Sequence, residues 1–206
     1  DWQTVEPYVQ DWLLEGEDGE KTVFVKFQDK AGNQTEPVTA TIVLDRQQPV
    51  GESMVINDGA RYTSELSQKV TLKLSADGAS EMMISHDEFF RPPAKWEPYK
   101  KEATWVLRGG QGEKTVVVRF RDEAGNVSTT VEKKIILDTD APVPRSFVIN
   151  DKKSSTSDRV VTLYINALGN ASHMMISEDP KFGGVDWEPY QVEKSINFQY
   201  QHLKTL

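Results

Sequence analysis

The sequence predicts an all-β protein organised as tandem β-sandwiches with a period of about 92 residues. Three observations carry that prediction. Glu6-Pro7-Tyr8 returns as Glu97-Pro98-Tyr99 and again as Glu188-Pro189-Tyr190, at a spacing of 91 residues both times. Between these anchors the apolar segments are short, rich in β-branched residues and separated by turn-forming residues every 8–12 positions, the spacing of a sandwich. No stretch carries the 3.6-residue apolar period of an amphipathic helix.

Further anchors extend the repeat through the whole unit. Gly19-Glu20-Lys21-Thr22-Val23 returns as Gly112-Glu113-Lys114-Thr115-Val116, and Ala31-Gly32-Asn33 as Ala124-Gly125-Asn126, each 93 residues on. Val55-Ile56-Asn57-Asp58 matches Val148-Ile149-Asn150-Asp151, and Met82-Met83-Ile84-Ser85 matches Met174-Met175-Ile176-Ser177. This ordered series assigns residues 1–48 to the C-terminal half of a first repeat, 49–141 to a complete repeat, and 142–206 to the N-terminal part of a third. Lys204-Thr205-Leu206 aligns with Lys114-Thr115-Val116, the start of the sixth strand.

In the complete repeat the expected strands are 53–57, 70–75, 81–85, a short piece near Trp96, 103–107, 114–121 and 128–137. Met82-Met83 belongs to a strand with one side turned inward. Val116, Val118 and Phe120 alternate with Val117, Arg119 and Arg121, which predicts one buried and one partly solvated face. Val23, Val25 and Phe27 repeat the pattern. Asp122-Glu123-Ala124-Gly125-Asn126 then reads as a hairpin turn, with Gly free to take positive φ and the Asp or Asn side chain bonding nearby amides.

The segment Val116-x-Val118-x-Phe120-x-Asp122-x-x-Gly125-x-x-Ser128 resembles the last two strands of fibronectin type III and related immunoglobulin-like modules. The closing Ile136-Leu137-Asp138-Thr139-Asp140-Ala141-Pro142 is similar to that of bacterial immunoglobulin-like repeats strung along surface and secreted proteins. Val23 and Val116 stand where many fibronectin-type modules carry Tyr. The resemblance covers essentially the whole chain and implies tandem immunoglobulin-like, fibronectin type III-like sandwiches in an extracellular or cell-surface protein. Such modules serve as spacers, adhesin stalks and enzyme appendages, so it narrows fold more than function.

Composition excludes several classes. Thirty-two acidic against 24 basic side chains leave a net charge of −8, the wrong sign for binding nucleic acid or anionic lipid through the overall field. The apolar runs are far shorter than the roughly 20 residues that cross a bilayer as a helix, so no membrane insertion is expected of this segment. The absence of Cys removes disulfides, thiolate metal sites and cysteine nucleophiles.

Candidate chemistry is sparse. Gly109-Gly110-Gln111-Gly112-Glu113-Lys114-Thr115 is not a phosphate loop, because Glu separates Gly from Lys and a strand follows. Ser85-His86-Asp87 has the residue types of a triad, but adjacent strand side chains point to opposite faces. No catalytic residue is assigned, and no enzyme is expected. A hard cation seeking six to eight oxygens has candidate ligands at the second linker and adjacent turns: Asp138, Asp140, Asp122, Asn150 and Asp151 form a candidate calcium set. Trp96, Tyr99, Trp187 and Tyr190 are candidates for stacking against a glycan ring, with Trp105 and Trp12 as further aromatic positions. Asn33, Asn126 and Asn170 each open a glycosylation sequon.

The expected function is a non-enzymatic structural module of an extracellular bacterial protein: a stalk, spacer, adhesin array or fibre subunit. The two end repeats need strands from elsewhere, supplied either by neighbouring repeats of a longer array or by identical chains through strand complementation. A carbohydrate-binding accessory module of a secreted enzyme is the alternative.

Overall fold

In the computed structural model, Tyr8 and residues 11–197 are described, and the chain divides into two compact units at Asp138/Thr139. The first unit begins with an antiparallel ribbon, β1 (Gly19–Val25) and β2 (Val38–Leu44), registered from Gly19 opposite Leu44 to Val25 opposite Val38. The complete repeat follows as β3 (Val50–Ile56), β4 (Tyr62–Thr63), β5 (Lys69–Asp77), β6 (Glu81–Ser85), β7 (Glu97–Pro98), β8 (Glu102–Val106), β9 (Gly112–Arg121) and β10 (Val131–Leu137).

Two sheets form from these eight strands, one ordered β3-β5-β8 and the other β4-β10-β9-β6-β7. Every strand pair is antiparallel except β4 with β10. This is an immunoglobulin-like, fibronectin type III-like β-sandwich, as the repeat pattern predicts. Its core is set by period-two alternation. Along β5, Val70, Leu72, Leu74 and Ala76 point inward while Lys69, Thr71, Lys73 and Ser75 face out. They meet Met54, Met82, Leu107, Val116, Val118, Phe120, Ile135 and Leu137, all buried. Each large apolar side chain withdrawn from water contributes about 1.5–3 kcal/mol.

Three features depart from the sequence pattern. β4 has no counterpart among the expected strands; its two residues lie parallel to the end of β10, with Tyr62 opposite Ile136 and Thr63 opposite Leu137. The last strand starts as an isolated Arg121–Val127 bridge and becomes continuous only at Val131. The second face of β9 is not simply solvated: Val117 is buried with Met83 and Phe90 in a separate small cluster, flanked by Ala94 and Trp96. Met82 and Met83 are therefore both buried, one in each cluster.

The second unit contains β11 (Val143–Ile149), β12 (Val160–Leu168), β13 (His173–Met174), β14 (Glu188–Pro189) and β15 (Glu193–Asn197). They form a three-stranded sheet β11-β12-β15 and a two-stranded sheet β13-β14. By the sequence repeat these match β3, β5, β8, β6 and β7 in turn. Among the described residues of this unit nothing corresponds to β9 and β10. Among its described residues, the buried apolar side chains are Val161, Leu163 and Met174.

A shared corner shows how closely the copies agree. Asn57 and Asn150, each in a one-turn 3-10 segment, accept a hydrogen bond at Oδ1 from the backbone N–H of Thr71 and Thr162 respectively, both at 2.8 Å. The next residue is left-handed in each, with φ 56° at Asp58 and 54° at Asp151. Short polar side chains tolerate that conformation better than bulky ones.

Candidate functional site

The residues singled out from the sequence divide between framework roles and exposure. Tyr99 is turned inward: its hydroxyl donates to the Leu74 carbonyl at 3.3 Å, and its ring meets Phe120 edge-on at 5.6 Å between centroids. Tyr190 does the same work in the third repeat, donating to the Ile165 carbonyl at 3.1 Å and accepting from the Ala167 N–H at 3.2 Å. Both tyrosines are half-buried and brace the sheet β7 and β14 lead into through their hydroxyls.

Trp96 is covered by cations. The Arg121 guanidinium lies 4.5 Å from its ring centroid and Arg119 lies 5.4 Å away, while Arg119 also sits 4.3 Å over Phe90. Arg121 is held there by Glu81 across the β6–β9 pair, Nε to Oε2 at 2.5 Å. This Phe90–Arg119–Trp96–Arg121 ladder zips one face of the sheet through cation–π contacts. Trp187, the counterpart of Trp96, is 66% exposed.

Trp105 stacks on His86 with centroids 4.7 Å apart, and its indole N–H is buried without a partner. Beside them opens a cleft of about 330 Å³ lined by His86, Asp87, Pro92, Pro93, Trp105 and Arg108 among others. Burial, and after it the Arg108 guanidinium, hold the His86 imidazole below its ordinary value against the pull of Asp87. Ser85, His86 and Asp87 do not form a relay. Ser85 Oγ accepts the Asp87 N–H at 3.2 Å and Asp87 Oδ1 accepts the Phe89 N–H at 2.9 Å, which closes a local turn.

The candidate calcium ligands are largely engaged in their own turns. Asp122 accepts the Asn126 N–H at Oδ1 and the Asn126 side-chain amide at Oδ2, both at 2.9 Å. Burial raises the Asp122 carboxyl, but these bonds, with those from Gly125 and Ala124, outweigh it and hold the group below the ordinary carboxylate range. Asn150 is committed to Thr162, and Asp151 raises the Tyr164 hydroxyl through its charge. Asp138 closes β10, its N–H donating to Thr63 O at 3.0 Å, and Asp140 lies on the other side of the division between units. Among the described residues no group of three or more His, Cys, Asp or Glu side chains is gathered closely enough to hold a metal ion.

The sequons are also partly absorbed by structure. Asn33 donates its side-chain amide to Asp29, and Asn126 donates to Asp122 and to the Asp45 carbonyl, at 2.8, 2.9 and 3.0 Å. The Asn126–Asp45 bond ties the turn of the complete repeat to the linker that enters it. On the other side of that linker, Arg46 Nε meets Asp18 Oδ1 at 2.6 Å.

What the sequence does not reveal is the difference in cover between equivalent sheet faces. Val25, Phe27 and Ile42 on the β1–β2 ribbon are 45%, 45% and 56% exposed, while their counterparts Val118, Phe120 and Ile135 are at 0%, 0% and 1%. In the third repeat, Phe182 and Trp187 lie open where Phe90 is buried and Trp96 is shielded. Two apolar faces thus stand bare at positions that the complete repeat covers, and they are the molecule's principal candidate interaction surfaces.

No family model and no curated protein matches the chain. Among solved structures, the FN1-FN3 domains of chicken CNTN1 are similar, at 10% sequence identity and a TM-score of 0.43, over 86% of this chain and 65% of that one. The sheet order, rather than that distant likeness, defines the sandwich.

Proposed function

We propose that the chain is a non-enzymatic structural module of an extracellular bacterial protein, a length of repeat array that acts as stalk, spacer or fibre. The supporting observation is that the residues repeated between copies are used for framework. Tyr99 and Tyr190 brace sheets, Asn57 and Asn150 fix corners, and Asp29 and Asp122 organise hairpin turns.

The mechanism is mechanical. The complete repeat buries its own core, and its entry linker is held by the Asn126–Asp45 bond, the Arg46–Asp18 ion pair and the fixed φ of Pro49. Load passing along the chain then crosses backbone ladders rather than a loose tether.

Single-molecule stretching of the chain tests this reading. The complete repeat is expected to resist and then unfold in one step, releasing roughly 30 nm of extended chain at about 3.3–3.6 Å per residue. Smooth extension with no such step would contradict a load-bearing role. The carbohydrate-binding alternative has exposed rings at Trp187 and Trp12, and glycan binding abolished by Trp187→Ala would favour it.

A further inference from the structure

We propose that the cleft of the complete repeat beside His86 and Trp105 binds an acidic sugar, a hexuronate unit whose carboxylate pairs with Lys95 and Arg108 while its ring lies against Trp105 and Pro92-Pro93. Binding there is additional to the mechanical role and does not depend on it.

The cleft, of about 330 Å³, lies between the loop that follows β6 and the edge strand β8. Its apolar lining comes from Pro92, Pro93 and Trp105, on which His86 is tilted at 39°. Around these, Arg91, Lys95 and Arg108 outnumber Asp87 and Glu97, in a chain whose net charge is −8. Arg91 is paired with Asp87 at 3.6 Å, whereas Lys95 and Arg108 have no ion-pair partner among the described residues. A concavity with an apolar lining and a few convergent charges is the ordinary make-up of a small-ligand site.

The third repeat shows that the fold itself does not ask for these residues. Its corresponding loop keeps the same frame. Ser85 and Ser177 accept the N–H of Asp87 and Asp179 at 3.2 and 3.0 Å, and each Asp accepts the N–H two residues on at 2.9 Å. Phe90 and Phe182 are both left-handed, with φ 49° and 53°. Trp105 and Ile196 hold one register position, opposite Val70 and Val161. Within that frame His86 becomes Glu178, Arg91 becomes Gly183, Lys95 becomes Asp186 and Trp105 becomes Ile196, while Glu97 stays as Glu188. The aromatic ring and the cations change together, so they serve something particular to the complete repeat. One ligand accounts for both: an aromatic surface takes the C–H face of a pyranose, and Lys and Arg take its carboxylate through charge-assisted hydrogen bonds. A neutral sugar would leave the two cations without a partner, and an acidic peptide side chain would leave the ring unused.

Calorimetric titration of the 206-residue chain tests the proposal, using tetramers of galacturonate and of glucuronate, the neutral tetramers of galactose and of glucose, and a tetra-aspartate peptide. At least one uronate is expected to bind about tenfold or more tightly than its neutral counterpart and than the peptide, and to weaken as salt rises from about 0.05 to about 0.5 M. Lys95→Asp, the exchange seen in the third repeat, and Arg108→Gln are each expected to weaken uronate binding by about tenfold or more. Lys133→Asp makes the same change of charge as Lys95→Asp, but on β10 and outside the cleft, and is expected to leave binding intact. All three side chains are exposed, so circular dichroism of the variants is expected to match the parent. No binding of either uronate, equal binding of the neutral tetramers, or binding that survives both cleft substitutions would overturn the proposal. So would tighter binding of tetra-aspartate, the mark of a peptide site, or an equal loss on Lys133→Asp, the mark of overall charge. The unfolding step under load reports on the sandwich and not on the cleft, so the mechanical reading stands or falls separately.

Discussion

The hairpins β1–β2 and β9–β10 are equivalent by the sequence repeat and share a strand register and an Asp-x-x-Gly-Asn turn, yet Val25, Phe27 and Ile42 beside the first are exposed while their counterparts in the second are buried among two clusters of side chains. Local chemistry is therefore sufficient to specify the hairpin. Asp29 and Asp122 each collect the N–H and the side-chain amide of the Asn four residues on, whether or not a core lies beneath. Stability comes instead from what other strands lay across the apolar face, which for β9–β10 is the facing sheet β3-β5-β8.

The widest expected gap is between Phe120→Ala and Phe27→Ala. The first empties a fully buried site and is expected to cost about 3–5 kcal/mol in chemical denaturation. The second trims an exposed ring of the isolated chain, with an expected change within about 0.5 kcal/mol. Equal effects would erase the distinction between the two hairpins.

Next come the turn carboxylates. Asp122→Ala is expected to destabilise the complete repeat by about 1–2 kcal/mol, because it leaves the half-buried Asn126 amides without their acceptor. The matching Asp29→Ala change falls in an exposed turn, and its effect on the denaturation midpoint is expected to be small. The Asp122 carboxyl is held below its ordinary range in the folded state, so its contribution is full at neutral pH and is lost as pH falls through the folded-state value. Asp122→Asn is expected to flatten that acid limb in pH-dependent unfolding.

Tyr99→Phe tests the sheet brace: losing the bond to the Leu74 carbonyl is expected to lower stability by about 1 kcal/mol. The smallest effect belongs to His86. Burial, and after it Arg108, hold its imidazole below the ordinary histidine value, so its contribution is full above that value and declines as pH falls through it. His86→Gln is expected to remove that decline in a comparison of melting temperatures at about pH 7.5 and about pH 5.

Much of the sandwich is legible in the sequence because alternation in Lys69–Asp77 and Gly112–Arg121, and the turn between Asp122 and Asn126, are local signals. What is not legible depends on partners distant along the chain. A strand of two residues, Tyr62–Thr63, has no period to read. The run Val116-Val117-Val118 does not reveal that Phe90, set by a left-handed φ of 49° in a loop, will bury its middle member. Nor do aromatic positions disclose their cover: Tyr99 goes inward because a Leu74 carbonyl awaits its hydroxyl, and Trp96 is shielded because β6–β9 register delivers two arginines to its ring. Residue types nominate the stacking aromatics and the calcium set, but they do not disclose which of these side chains a turn or a sheet also engages.

Amide hydrogen exchange on the dilute chain tests the central contrast most directly, comparing peptides that span residues 19–44 with those that span 112–137. The expected result is rapid exchange across the first hairpin and strong protection, rising toward the global unfolding free energy, across the second. Equal protection in the two hairpins would contradict the account.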